Sequence, residues 1–207
     1  MADMKVLLLV GGPAYHDSPG HRAVLSGFLS KQFDVTMTDD LGALTPDSLA
    51  EYQVIVNFMT FLEPTDAQIN ALLDAVEGGK GFVGIHGATA TFWNQPRYLE
   101  MIGGKFIEHD PNKLFTVKVR TARAVEKSPI TEGVDDFEIQ DELYIIEGDI
   151  TQWQILARAE GHAIVYTKQW GKGRVYSNAL GHDAVAMDVP AFQILITRGV
   201  QWAAGLL

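Results

Sequence analysis

The 207-residue sequence contains no cysteine. A thiolate therefore takes no part in the chemistry of this protein, because neither a cysteine nucleophile nor a thiolate metal ligand is available. The same absence leaves the redox compartment open, since a chain without cysteine is compatible with oxidising and reducing environments alike.

Positive charge is also scarce. The sequence has 16 Lys and Arg residues against 26 Asp and Glu residues, which gives a formal net charge of -10. Proteins that bind a phosphate backbone normally present a face rich in Lys and Arg, so we expect no nucleic-acid partner. A small neutral or cationic ligand is favoured instead.

Long apolar runs, internal repeats, low-complexity segments and linkers are missing as well. The apolar run within residues 1–10 is too short for a membrane span and lacks the features of a cleaved signal peptide. We therefore expect a cytoplasmic protein that does not contact a membrane. With 47% hydrophobic and 20% charged residues, the composition predicts a globular core, and residues 1–207 are interpreted as a single domain.

The hydrophobic pattern of the first half predicts an α/β alternation. The continuous aliphatic run at residues 6–10 is typical of a parallel strand that is buried on both faces. A helix is expected over residues 65–77, where Thr65 and Gln68 form a capping box and Gly78 provides a stop. Further strands are predicted at 33–37, 54–58 and 80–85, and a further helix around 24–29.

In the second half, the predicted strands lie too close together for a strict βαβ repeat. They fall at residues 114–119, 154–159, 163–168 and 173–178, and the turn at 170–173 joins the last two. An antiparallel extension of a mainly parallel sheet is therefore expected, followed by a C-terminal helix at 189–204. The apolar face of that helix leaves room for a homo-oligomer.

His86 follows the buried strand at 80–85 and has small residues, Gly84, Gly87 and Ala88, close to it. This is the layout of a nucleophile elbow, in which a sharp, strained turn holds one side chain in an exposed position. Because the residue is an imidazole rather than Ser or Cys, metal ligation or proton transfer is a better interpretation of it than covalent attack.

Other chemically reactive side chains follow predicted strands in the same way. Ligands of open parallel sheets bind at the carboxyl ends of the strands, so these positions mark the candidate site. The catalytic candidates are His86, His109, Glu142 and His182. The substrate-binding candidates are Tyr15, His16, Asp17, Trp93, Tyr144 and Asp183. Tyr15 and His16 are expected at the rim of the site, and His21 and His162 outside it.

Two chemistries suit this set of residues. His86, His109 and His182 would bind a divalent metal such as zinc, with Glu142 as a fourth ligand, or the same groups would act as metal-free acids and bases on a polyol. The spacing of the residues does not distinguish the two, because a metal site would be assembled from distant loops.

Several motifs resemble those of the ThuA-like, or trehalose-utilisation, proteins, and the resemblance covers nearly the whole chain. The motifs are GGPAYHD at 11–17, GGKGFVGIHGA ending at Ala88, GGKFIEHDP at 103–111, DELY at 141–144, WGKGRVY at 170–176, LGHD at 180–183 and GVQWAAG near the end. This family belongs to the class I glutamine amidotransferase-like superfamily.

The resemblance implies a flavodoxin-like three-layer sandwich, with helices on both faces of the sheet. It also implies a role in carbohydrate metabolism, as an enzyme that acts on a disaccharide or keto-sugar by hydrolysis, isomerisation or elimination. Glutamine amidotransferase activity is not implied, because His86 stands where those enzymes have Cys. The alternative is a non-catalytic sugar-binding or scaffold protein of the same fold.

Overall fold

A computed structural model describes residues 4–119 and 128–207 of the chain. The strands are β1 (Lys5–Gly11), β2 (Asp34–Thr38), β3 (Val54–Met59), β4 (Gly81–Ile85), β5 (Lys105–His109), β6 (Lys113–Val119), β7 (Phe137–Asp141), β8 (Tyr144–Glu147), β9 (Gln154–Ala159), β10 (His162–Trp170) and β11 (Gly173–Asn178). The helices are α1 (Pro19–Leu29), α2 (Pro46–Ala50), α3 (Asp66–Glu77), α4 (Pro96–Ile102), α5 (Ala184–Met187) and α6 (Pro190–Ala203).

The described residues form a nine-stranded sheet in the order β2-β1-β3-β4-β11-β10-β9-β6-β7. Strands β2, β1, β3, β4 and β11 are parallel to one another. The remaining four strands are antiparallel to their neighbours, so the expected antiparallel extension is confirmed. A separate two-stranded ribbon pairs β5 with β8 and places His109 opposite Tyr144.

Helices cover both faces of the sheet, which confirms the α/β three-layer prediction. Alternate residues of β1 face opposite layers, as the pleat of a strand requires. Leu8 packs with α1 and α6 residues such as Leu25 and Leu195. Leu9 packs in the other layer with residues of α3 and α4, such as Leu72 and Tyr98. No helix among the described residues has both the length and the apolar character that a bilayer crossing requires.

The local signals in the sequence correspond closely to these elements. The predicted capping box is confirmed at the start of α3, where the Thr65 side chain accepts from the backbone N–H of Gln68 and the Gln68 side chain accepts from that of Thr65. The ribbon strands β5 and β8 are absent from the sequence-based prediction. Both strands are short and mostly half-buried or exposed, so neither has the apolar run that marks a central strand.

Candidate functional site

His86 begins a short 3-10 turn, His86–Ala90, directly after β4. Its φ of 41° lies in the left-handed region, which is costly for a residue with a β-carbon. The strained turn expected from the sequence is therefore confirmed, but the expected exposure is wrong. The side chain is fully buried because loops from β1 and β11 and the ring of Tyr144 cover it.

His16 and His182 approach His86 from the carboxyl ends of two other parallel strands. His16 follows β1 in a turn in which its backbone N–H donates to Pro13 O, and His182 follows β11. The His16 Nε2 atom lies 3.0 Å from His182 Nδ1. His16 therefore lies inside the site, next to His182, and is 3% exposed. Its expected place at the rim is corrected, because the turn after β1 directs the ring inward over the sheet.

Glu142 brings a carboxylate to these rings from the segment between β7 and β8. Its Oε2 atom lies 3.0 Å from His182 Nδ1, 3.6 Å from His86 Nε2 and 3.9 Å from His16 Nε2. One ligand atom from each of the four residues lies within 4.8 Å of the others. We call these four residues, His16, His86, Glu142 and His182, the His/Glu cluster.

Asp141, the neighbour of Glu142, holds the loop that carries His182. The Asp141 carboxylate accepts hydrogen bonds from the backbone N–H groups of Gly181 at 2.7 Å, His182 at 3.0 Å and Glu142 at 2.8 Å. Burial raises the pKa of Asp141 to about 6, and these bonds oppose the rise. Asp141 therefore positions two cluster residues from one buried carboxylate without entering the cluster itself.

The protonation states inside the cluster differ from residue to residue. Burial by itself would raise the pKa of Glu142, but the surrounding imidazoles bring it well below its ordinary value, so Glu142 is an anion at neutral pH. Burial lowers the pKa of His86 to about 4. The Nδ1–H of His86 donates to Ala179 O at 2.9 Å, which leaves the Nε2 electron pair of a neutral ring directed at Glu142.

The arrangement of these atoms fits a divalent cation. The His86 Nε2 and Glu142 Oε2 atoms are buried, and neither makes a hydrogen bond of regular geometry among the residues that the structure describes, although His182 Nδ1 lies 3.0 Å from Glu142 Oε2. Buried polar atoms of this kind require an explanation. Ligand atoms of a tetrahedral zinc site lie about 3.4 Å apart at Zn–N distances of about 2.0–2.1 Å. The three imidazole nitrogens lie 3.0 to 3.9 Å from Glu142 Oε2, and all four ligand atoms lie within 4.8 Å of one another.

His109 lies beside the His/Glu cluster on its solvent side. Its Nε2 atom is 3.6 Å from Glu142 Oε2, and its side chain is 34% exposed. The Nδ1–H donates to the backbone oxygen of Asp110 at 2.7 Å, which leaves Nε2 free to accept a proton. His109 is thus placed to exchange protons with a ligand. It is not one of the four residues whose ligand atoms all lie within 4.8 Å of one another, whereas His16 is.

The other substrate-binding candidates lie at different distances from the cluster. Tyr144 is buried, with its ring centroid 3.9 Å from that of His86. Tyr15 is 59% exposed and contacts His16 edge-on at 4.9 Å. Trp93 is 38% exposed and is linked to His16 through Phe61.

Asp17 and Asp183 have structural partners. Both oxygens of Asp17 accept from Arg22, at 2.7 and 2.6 Å, in a bidentate ion pair. Asp183 is the N-cap of α5, where its side chain accepts from the backbone N–H of Ala186 at 2.8 Å. Their carboxylates therefore hold the loops that carry His16 and His182.

His21 supports the His/Glu cluster from outside it. Its Nε2–H donates to the backbone oxygen of His182 at 3.0 Å, and its Nδ1 accepts from Ser18 Oγ at 2.7 Å. The Ser18 and His21 pair is also the capping box of α1. In the sequence, the spacing of a cap residue and a polar residue three positions later is the signal from which the position of His21 could have been predicted.

Gly87 provides a test of the crowded turn around His86. A β-carbon on Gly87 would overlap Thr60 Oγ1, so we expect Gly87→Ala to lower the free energy of unfolding by about 1–3 kcal/mol. Gly27→Ala is the control, because Gly27 lies exposed within α1 with open space around it. That substitution should stabilise by about 0.5–1 kcal/mol. Urea unfolding measures both, and equal stabilities of the two variants would contradict the packing described here.

A family model described as "Trehalose utilisation" matches residues 5–203. The chain belongs to the ThuA family. A search of the curated proteins found no match.

Solved structures with the ThuA-like fold agree with this assignment. A ThuA-like protein from Parabacteroides merdae has a TM-score of 0.83 and 22% identity, and the match covers 98% of this chain and 90% of that chain. A ThuA-like protein from Bacteroides uniformis has a TM-score of 0.78 and 20% identity, and the match covers 97% of this chain and 91% of that chain. At these identities the likeness shows the fold.

The fold of this ThuA-family chain also occurs inside larger proteins. It matches a β-galactosidase from Bacillus circulans with a TM-score of 0.66 and 13% identity, over 98% of this chain but 31% of the galactosidase chain. The α/β fold expected from the sequence agrees with the fold of the ThuA-like neighbours.

Proposed function

We propose that the protein is a divalent-metal-dependent enzyme of carbohydrate metabolism that acts on a disaccharide or keto-sugar. The observation that carries the proposal is the convergence of three imidazole nitrogens and one carboxylate oxygen within 4.8 Å. Membership of a family described by trehalose utilisation supports the substrate class. The reaction is hydrolysis, isomerisation or elimination, each of which requires proton transfer near neutral pH.

The residues divide into two roles. His16, His86, His182 and Glu142 would hold the cation, which when bound would polarise a carbonyl or hydroxyl oxygen of the sugar. His109 Nε2, on the solvent side of Glu142, takes a proton from the sugar or returns one to it. Tyr144 packs against both His86 and His109 and fixes the orientation of the two rings.

The protonation states of His86 and Glu142 suit this role. A cation binds neutral imidazoles and an ionised carboxylate, and the depressed pKa values of His86 and Glu142 keep both groups in those forms at neutral pH. The Ala179 oxygen on His86 Nδ1 is the kind of outer hydrogen bond that orients metal-binding histidines.

The expected partner is therefore a small carbohydrate, and a cytoplasmic location is part of the same proposal. The fold resembles those of two Salmonella proteins named as cytoplasmic, at TM-scores of 0.68 and 0.73. The net charge of -10 supports the exclusion of nucleic acid as a partner.

The test combines metal analysis with turnover. The purified protein is analysed for zinc and other divalent metals and incubated with a panel of disaccharides and their keto derivatives, with products followed by NMR. We expect a bound metal, turnover of at least one sugar, and a loss of about 100-fold or more in kcat for His109→Gln with metal content unchanged.

Each alternative gives a different result in that experiment. Undiminished turnover by metal-free protein would overturn the metal requirement. Sugars that raise the melting temperature without forming product would support the non-catalytic binding protein. If no sugar either reacts or stabilises the fold, the carbohydrate assignment is wrong.

A further inference from the structure

Two partly exposed aromatic rings adjoin the His/Glu cluster, and the proposed chemistry does not use them. Phe61 follows β3 and is 45% exposed, and Trp93 follows the turn after β4 and is 38% exposed. Their ring centroids lie 5.1 Å apart in an edge-to-face arrangement. The ring centroids of Phe61 and His16 lie 6.2 Å apart. Phe61 and Trp93 therefore extend outward from the cluster as a continuous surface.

The backbone around the two rings is held in an uncommon conformation. Phe61 has a φ of 56° and Phe92, the residue before Trp93, has a φ of 53°. Bulky residues rarely adopt the left-handed region, and strain of this kind concentrates at functional sites. The Phe92 ring is fully buried against Tyr98 at 4.9 Å, whereas Trp93 next to it remains accessible.

Hydrogen bonds between the two loops make this surface rigid. The N–H of Phe61 donates to Ala90 O at 3.0 Å, and that of Phe92 donates to Leu62 O at 2.9 Å. The Thr91 Oγ1 atom accepts from the N–H of Leu62 at 3.0 Å. The loops after β3 and β4 are thus tied together, so the aromatic pair is formed before any ligand arrives.

The chemistry of the pair indicates a sugar ring. An aromatic face carries partial negative charge and attracts the C–H groups of an apolar surface, and one face of a pyranose is lined with C–H groups. Lys105 Nζ lies 5.5 Å from the centre of the Trp93 ring and is placed to donate hydrogen bonds to hydroxyl groups. Rigid exposed aromatics next to a polar cluster are typical of a ligand site.

We infer that Phe61 and Trp93 form a stacking subsite for the outer ring of a disaccharide whose inner ring lies at the His/Glu cluster. The inference rests on the proposed function, because it takes the cluster as the reacting end of the site. The contact between His16 and Phe61 makes the two parts continuous. The subsite makes a two-ring sugar, rather than a monosaccharide, the preferred substrate.

Calorimetric titration of the metal-loaded protein with glucose, trehalose, maltose and cellobiose tests the subsite. We expect Trp93→Ala to weaken binding of the best disaccharide by about 3- to 10-fold and to leave glucose affinity unchanged. Phe61→Asn is a second variant, because Asn tolerates a positive φ and removes only the ring. Trp202→Ala is the control. Arg174 lies over the Trp202 ring as Lys105 lies over the Trp93 ring, but Arg174 is at the start of β11, whereas the cluster lies beyond the end of that strand.

The outcomes separate the subsite from the proposed function when Glu142→Gln is titrated alongside. If both ring variants bind every sugar as tightly as the wild type while Glu142→Gln loses binding, the subsite is wrong and the proposed function stands. Equal weakening of glucose and disaccharide by Trp93→Ala overturns the assignment to an outer ring. A wild-type protein that binds none of these sugars overturns the subsite together with the carbohydrate assignment.

Discussion

Replacing Glu142 with Gln is expected to abolish both metal retention and turnover. The substitution preserves the size of the side chain but removes the negative charge that faces His16, His86 and His182 at 3.0 to 3.9 Å. Loss of an outer hydrogen-bonding partner typically weakens metal sites by about 10- to 100-fold. Loss of a direct carboxylate ligand should therefore weaken binding by at least about 100-fold, and kcat should fall in parallel.

Metal content after dialysis and kcat on the best sugar are the two measurements. Glu138→Gln is the matched control, because this substitution removes the same charge from an exposed residue of β7, three residues before Asp141. A Glu142→Gln protein that keeps the wild-type metal content would contradict the ligand assignment. Retained metal with lost turnover would leave Glu142 as an acid or base rather than a ligand.

Removing the metal is expected to lower the melting temperature markedly. A ligand at 1,000 times its dissociation constant stabilises the native state by about 4 kcal/mol. For a chain of this size, each kcal/mol corresponds to about 2–4 °C, so zinc-loaded and chelated protein should differ by about 8–16 °C. The reason is that the cation binds the folded cluster but not the unfolded chain.

Differential scanning calorimetry with and without a chelator gives this shift. In His86→Asn, chosen because Asn tolerates the φ of 41° at this position, the metal-dependent shift should disappear. His162→Ala is the control, since His162 lies at the start of β10 and is not a member of the cluster. A shift of equal size in His86→Asn and the wild type would exclude the cluster as the metal site.

Much of the fold was predictable because its signals are local. The aliphatic run of β1, the capping box and apolar stripe of α3, and the Gly-containing turn before β11 each occupy a few consecutive residues. Such patterns determine an element without reference to the rest of the chain. The ribbon of β5 and β8 was not predictable in this way, because its pairing joins segments about forty residues apart and neither strand has a distinctive pattern.

The candidate site was predictable in its residue types but not in its distances. His86, His109, Glu142 and His182 follow strands in the sequence, and the structure gathers the three histidines around one carboxylate oxygen of Glu142. The inward turn of His16, the support from His21 and the aromatic pair of Phe61 and Trp93 depend on how loops from different strands pack. No spacing along the chain encodes those contacts.

The sequence by itself therefore determined that this protein is an α/β chain of the ThuA type, without thiolate chemistry and with histidines at its strand ends. Only the tertiary structure decided which imidazoles share a cluster, that His109 lies on its solvent side, and that Asp141 holds the His182 loop from behind. The physical reason is that residue type and periodicity are properties of short segments. The separation of two ligand atoms is set by the register of strands far apart in the chain.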